Sequence, residues 1–199
     1  RRDFKRVADP LTKFGAKFKL NKNRTLPLTI KGSDNLKPIR YKEVRGSAQC
    51  KSSVMFAGMK TKGKTIIHAK KSRNHSELLC KHLGLPIKVT DKKSYDLIEV
   101  NQVKKIKPIN YKLPSDISSA SFFIVLTALS NKSKLTIKNV NVNSTRVGII
   151  TILKRMGVKI YLKNKRKYKG EMIADISIYG SDKIKSINCP SKLNSGAID

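Results

Sequence analysis

Three stretches of the chain share one grammar of apolar and polar positions. Val7, Leu11 and Phe14 recur at i, i+4 and i+7, the amphipathic stretch stops at Gly15, and Lys17-Phe18-Lys19-Leu20 then alternates. The order returns at Leu79-Cys80-Lys81-His82-Leu83-Gly84, followed by Leu85-Pro86-Ile87-Lys88-Val89. It returns again where Ile149, Ile150, Leu153 and Met156 precede Gly157 and Val158-Lys159-Ile160-Tyr161-Leu162. Each predicts a helix closed by a glycine, which takes the left-handed C-cap conformation at little cost, and then a strand with its period of two. The three glycines lie 69 and 73 positions apart. That spacing exceeds a solenoid period and suits a repeated subdomain of several strands and helices.

Further strands are predicted at 65–68, 97–100, 135–140 and 174–178, all rich in β-branched residues. Residues 118–130 are apolar nearly all round, so a helix there is expected to be buried on most sides. Alternation of these elements argues for an α/β or α+β architecture. Residues 102–115 carry Lys104, Lys105, Lys107, Pro108 and Pro114 with little helical pattern. A crossing between domains and an ordinary surface strand with its loop fit that segment equally well.

The chain has 199 residues, room for one large domain or two small ones. Its longest apolar stretch, 122–129, falls far short of the ~20 residues of a membrane span, and no apolar run follows the basic N-terminus. A transmembrane protein and a secretory signal are therefore not expected. Cys50, Cys80 and Cys189 cannot all pair and form no C-x-x-C, which points to a reducing compartment and a cytoplasmic protein. The chain opens Arg1-Arg2 rather than with Met, as a piece of something longer would.

Lys and Arg number 44 against 13 Asp and Glu, a formal charge of +31. Such a charge invites a nucleic-acid reading through counterion release. However, 34 of the cations are Lys, accompanied by 21 Ile and 13 Asn, which is a compositional bias rather than phosphate recognition. The cations are scattered, and the densest run, Lys163-Asn164-Lys165-Arg166-Lys167-Tyr168-Lys169, reads as a loop between two strands. Aromatics make up 6% with no Trp, too few for base-stacking platforms. A basic nucleic-acid-binding protein remains an alternative from a different class. The same field would draw in small anionic substrates.

Four segments carry candidate chemistry. Arg45-Gly46-Ser47-Ala48-Gln49-Cys50-Lys51-Ser52 precedes apolar Val54-Met55-Phe56-Ala57, so hydroxyls and free backbone N–H groups could meet an anion at a helix start. A simple N-cap by Ser47 explains the same residues. Ser72-Arg73-Asn74-His75-Ser76-Glu77 offers a hydroxyl and a guanidinium fork at a strand-to-helix turn, or a cap by Asn74 or Ser76 with Glu77 as first-turn acid. Asp116 or Ser118 is expected to cap the apolar helix, and the terminal carboxylate of Asp199 is a candidate base or hydroxyl acceptor. His68, His75 and His82 are spaced by seven but are expected on a strand, a turn and a helix, so no metal site is expected.

Read in order, the segments resemble the central portion of the 5-enolpyruvylshikimate-3-phosphate synthase family. Arg2, Arg6, Pro10-Leu11 and Phe14-Gly15 are similar to its R-P-M-x-R…P-L…M-G segment. Ser47-Ala48-Gln49 with Lys51-Ser52 resembles S-A-Q-x-K-S, and Ser72-Arg73-Asn74-His75 resembles its T-R-D-H or S-R-D-H turn. Pro114-Ser115-Asp116-Ile117-Ser118-Ser119 resembles P-G-D-x-S-S. Asn143-Ser144-Thr145-Arg146-Val147-Gly148 resembles N-P-T-R-x-G, and Ser195-Gly196-Ala197-Ile198-Asp199 resembles the run that ends I-D. The chain departs from the pattern at Asp3, Ser115 and Ser144, and at Asn74 in place of aspartate.

The resemblance implies repeated βαβαββ subdomains of the two-domain enolpyruvyl transferase fold, incomplete in this chain, with 1–113 in the first lobe and 114–199 in the second. It implies transfer of the enolpyruvyl group of phosphoenolpyruvate to the 5-hydroxyl of shikimate 3-phosphate by addition and elimination, with no metal or organic cofactor. UDP-N-acetylglucosamine enolpyruvyl transfer is the alternative within the fold. By resemblance Arg2 holds phosphoenolpyruvate, and Ser47 and Ala48 receive the shikimate phosphate. Gln49 touches both substrates, and Ser72 and Arg73 add contacts to the shikimate phosphate and ring. Asp199 binds shikimate hydroxyls and is the candidate for proton transfer. The expected partners are these two metabolites, with neither membrane nor nucleic acid, and a monomer at full length. The family's other site residues lie beyond both ends of the chain, so 1–199 alone is expected to be inactive.

Overall fold

The structure is a computed structural model that describes residues 3–197, apart from the side chains of Lys192 and Ser195. It divides the chain into two units, one up to Pro108 and one from Ile109 onward.

The first unit opens with α1 (Lys5–Phe14) and an antiparallel pair, β1 (Lys17–Lys19) and β2 (Thr29–Lys31). A full βαβαββ set follows: β3 (Arg40–Glu43), α2 (Ala48–Lys60), β4 (Lys64–Lys70), α3 (His75–His82), β5 (Ile87–Asp91) and β6 (Tyr95–Asn101). Its sheet runs β3-β4-β6-β5, with β3 and β4 parallel and the remaining pairs antiparallel. The core gathers Phe14, Val54, Met55, Met59, Ile67, Cys80, Ile98 and Val100.

The second unit repeats the order. Ser115 forms a parallel bridge to Val140, standing where a first strand would. Then come α4 (Ile117–Leu129), β7 (Lys134–Asn141), α5 (Gly148–Arg155), β8 (Lys159–Tyr168) and β9 (Glu171–Tyr179), in a sheet ordered β7-β9-β8. A 3-10 turn, Ser191–Gly196, packs so closely on the start of α5 that a Cβ on Gly148 would lie 2.7 Å from the Gly196 carbonyl carbon.

The three predicted helix ends are alike in detail. Gly15, Gly84 and Gly157 all have positive φ. Behind them, Ala16, Leu85 and Val158 donate to the carbonyls of Leu11, Cys80 and Leu153, the six-residue closure of a Schellman motif. All four predicted strands form.

Two expectations fail, each for a physical reason. The apolar helix α4 is not buried on most sides. Ile117, Ala120, Ile124 and Ala128 pack into the core, but Phe122 is 79% exposed and Phe123, Leu126 and Leu129 are exposed with it. One sheet covers one face of a helix, and none of the described residues covers the other. The basic run 163–169 is not a loop either. It is the outer half of β8, whose register slips between Lys163 and Arg166 and then resumes with Arg166 opposite Ile173 and Tyr168 opposite Glu171. β9 satisfies its backbone, while residues 163–167 are exposed on both faces and leave no period-two signature.

Candidate active site

The loops after β3 and β4 both leave the C-terminal ends of adjacent parallel strands, so topology alone brings them to the same end of one sheet. The first loop carries Ser47, Ala48 and Gln49, and the second carries Ser72 and Arg73.

Glu43, the last residue of β3, is 2% exposed and builds the first loop from beneath. Its carboxylate accepts from the backbone N–H groups of Arg45 (3.0 Å), Gly46 (2.7 Å) and Ser47 (3.1 Å). These donors were expected to face an anion, and they are spent on Glu43 instead. A carboxylate holding three amides fixes the loop more firmly than solvated amides would. What the loop still presents is the Ser47 hydroxyl and the first turn of α2, whose N–H groups have no carbonyl within the helix. Ser47 is also the N-cap, its Oγ accepting from Cys50 N at 3.3 Å. Gly46, at φ +71, backs onto Lys71, and a Cβ there would lie 3.4 Å from the Lys71 carbonyl oxygen.

Lys51 joins the two loops. It lies in the buried stripe of α2 with a side chain 0% exposed, an extreme position for an ammonium group. Its Nζ donates to the Arg73 carbonyl at 2.8 Å and lies 2.5 Å from Glu77 Oε1 in the first turn of α3. Ser52 Oγ, one residue after Lys51, and Ser76 Oγ, one residue before Glu77, are 2.7 Å apart. Thus Ser76 and Glu77 bind α2 rather than cap α3, and Asn74, the N-cap, makes no side-chain cap bond. The Ser72 hydroxyl oxygen is buried with no hydrogen-bond partner.

A third element reaches the same place. Arg6 of α1 donates from Nη2 to Gln49 Oε1 at 2.7 Å. Asp3, which departs from the family pattern, is occupied locally. It accepts from Lys5 N at 2.8 Å and pairs with Arg24 at 3.4 Å. Arg2 and Asp199 lie outside the described residues. Ser47, Ala48, Gln49, Ser72 and Arg73 are thus gathered by one unit. The residues that sequence reading left without a role are Glu43 and Lys51, and a buried-side cation in an otherwise apolar helix stripe is the signal that marks Lys51.

The second unit repeats the pairing of loops with other chemistry. Asp116 caps α4 through Ser119 N at 3.0 Å, as expected. Arg146, from the turn after β7, donates to Ser118 Oγ and lies 3.5 Å from Asp116 Oδ1. Burial works against the charged form of Asp116, but hydrogen bonds from Ser119 and Ser118 and the Arg146 charge outweigh it and hold the carboxyl below its ordinary range. Asn143 Oδ1 accepts from Thr145 N and Oγ1 (2.9 and 2.7 Å), shaping that turn, and its Nδ2 donates to the buried Glu171 at 3.1 Å. His82 lies in a helix as expected, whereas His75, expected in a turn, opens the same helix α3 at its other end. Among the described residues no three His, Cys, Asp or Glu gather as metal ligands, and no helix is long and apolar enough to cross a membrane.

Two βαβαββ units of this order define an enolpyruvyl transferase fold. The chain superposes on the enolpyruvyl transferase NikO of Streptomyces tendae with a TM-score of 0.65, over 92% of this chain and 43% of that one, at 12% identity, which is a likeness of fold. A closer likeness exists to EPSP synthase from Acinetobacter baumannii, with a TM-score of 0.82 at 35% identity over 99% of this chain and 44% of that one. The family model for EPSP synthase (3-phosphoshikimate 1-carboxyvinyltransferase) matches residues 1–190, and the chain belongs to this family. Among its relatives, the 3-phosphoshikimate 1-carboxyvinyltransferase of Caldicellulosiruptor bescii is 43% identical over 88% of this chain and 41% of that protein. That of Ruthia magnifica is 42% identical over 100% of this chain and 45% of that protein. The chain therefore spans less than half the length of these curated relatives.

Proposed function

We propose that these residues form part of an enzyme that transfers the enolpyruvyl group of phosphoenolpyruvate to the 5-hydroxyl of shikimate 3-phosphate, releasing phosphate on the route to aromatic amino acids. The observation that carries the reading is the buried Lys51, which ties the Ser47-Ala48-Gln49 helix start to the Ser72-Arg73 turn. Bringing a capping hydroxyl, a helix dipole and a guanidinium together makes a receptor for one compact phosphate ester. Ser47, Ala48, Ser72 and Arg73 would take the shikimate phosphate and ring. Gln49 would touch both substrates, Arg2 would hold phosphoenolpyruvate, and Asp199 would bind shikimate hydroxyls and serve in proton transfer. Addition of the hydroxyl to the vinyl carbon and elimination of phosphate both redistribute negative charge, so fixed donors are the groups such a site needs.

In this reading residues 1–113 belong to one lobe and 114–199 to the other, with the remaining site residues supplied by sequence on either side. The protein works as a cytoplasmic monomer on small-molecule substrates. The test is phosphate release by the full-length polypeptide given both substrates. Turnover is expected, with kcat/KM about 100-fold lower in Gln49→Ala, the order of one lost hydrogen bond to a charged group. No turnover by the wild type, or an unimpaired Gln49→Ala, would overturn the reading. The isolated 1–199 chain is expected to show none.

A further inference from the structure

Arg6 is not among the substrate contacts that the resemblance assigns, yet it makes a 2.7 Å hydrogen bond to Gln49. A glutamine amide has a donor end and an acceptor end of nearly the same shape, and a half-turn exchanges them. Arginine carries only donors and stays charged at any working pH. Only the Gln49 carbonyl can therefore face Arg6, and the bond fixes which way the amide is turned. The other end, Nε2, is committed as the donor. For a residue that meets two polyanions this choice is decisive, because a carbonyl turned toward them would repel where an N–H would bind.

The helix that carries the guanidinium is itself held. Arg6 sits on α1, anchored in the core by Ala8, Pro10 and Phe14. It lines a cavity of about 230 Å3 shared with Asp9, Tyr41, Glu43 and Arg45. Glu43 in that wall also carries the loop that leads to Gln49, accepting from the Ser47 N–H.

We propose that Arg6 is a positioning residue for the transfer reaction: it selects the amide orientation of Gln49 in which Nε2 donates toward the substrates. The inference rests on the reading that Gln49 contacts both substrates. It is tested by steady-state kinetics of the full-length polypeptide carrying Arg6→Met, Arg6→Lys, Gln49→Ala and the double variant Arg6→Met/Gln49→Ala. Arg6→Met is expected to lower kcat/KM about tenfold, the order of a charged hydrogen bond. Arg6→Lys, again a pure donor, is expected to recover to within about threefold of wild type. In the Gln49→Ala background, Arg6→Met should cost nothing further. A wild-type rate in Arg6→Met while Gln49→Ala is impaired would overturn the inference and leave the site reading standing. So would a full tenfold loss that persists without Gln49. An unimpaired Gln49→Ala would instead remove the site reading, and the inference with it.

Discussion

Replacing Lys51 by Met keeps an unbranched side chain, one atom shorter, and removes its charge. Lys51 is 0% exposed and Glu77 only 6%, so the variant leaves a carboxylate buried without its cation. Removing one partner of a buried ion pair costs about 3–5 kcal/mol, mostly from the stranded charge. The bond to the Arg73 carbonyl adds about 1 kcal/mol. For a chain of this size each kcal/mol lowers Tm by about 2–4 °C, so the midpoint of thermal unfolding followed by circular dichroism should fall by roughly 10–20 °C. The companion variant Lys51→Met/Glu77→Leu removes both charges and fills the space with apolar atoms. It should regain most of the loss, to within about 1–2 kcal/mol of wild type, because paired buried charges are roughly neutral against a hydrophobic pair. The two variants then separate stability from positioning. In the full-length polypeptide the double variant should be stable and still bind shikimate 3-phosphate weakly, since the Arg73 turn has lost the donor that ties it to α2. A single variant within 1 kcal/mol of wild type would refute the stranded-charge argument. A stable double variant with unchanged substrate affinity would refute the claim that Lys51 positions the turn.

Glu43→Gln keeps one carbonyl oxygen but turns an NH2 toward at least one of the three backbone donors that converge there, so we expect a loss of about 2 kcal/mol in urea unfolding and a raised KM for shikimate 3-phosphate. Asp116→Ala should cost about 1 kcal/mol at pH 7 as a lost cap. Because the folded-state pKa of Asp116 is lowered from 3.8, its charged form stabilises the fold above that pH, and the contribution fades as pH drops through the lower folded value. The gap between wild type and Asp116→Ala in unfolding midpoints should therefore narrow as pH falls below about 4, and a gap constant down to pH 2 would contradict the assignment.

Elements whose pattern follows from their own backbone were legible in the chain. The helix–glycine–strand endings at Gly15, Gly84 and Gly157 are local, since six residues close each motif, and all three appear as read. Ser47 and Asp116 were legible as caps for the same reason. The basic half of β8 was not, because its strand character comes from pairing with β9 rather than from alternation. The helix α4 was legible as a helix but not in its burial, which depends on what packs against each face. The roles of Glu43 and Lys51 needed tertiary structure: each is an ordinary surface-type residue until the loop or the turn it holds is brought over it. Arg6 stood in the family segment, but its partner lies 43 residues away, a distance no spacing rule spans.

The two units show how one topology can carry different chemistry in equivalent loops. Each has a helix start after its first strand position and a turn after its second, and the fold sets these side by side in both. In the first unit the tie is a lysine buried in α2, which grips the Arg73 backbone carbonyl. In the second, the turn's own arginine makes the tie, its guanidinium engaged by Ser118 and Asp116. A helix start capped by serine keeps a neutral hydroxyl beside the dipole, whereas one capped by aspartate has already placed an anion there. An incoming phosphate meets attraction at the first and a charge of its own sign at the second. The departures at Ser115 and Ser144 fall in the second unit, where Ser115 keeps the extended bridge to Val140 that any residue can make. Asn74 falls in the first, beside Arg73, and replaces an anion by a neutral amide. The first unit is thus the half of this chain whose loops suit a phosphate ester, and substitutions that restore or add charge near Ser47 and Arg73 are the ones that substrate affinity will register most strongly.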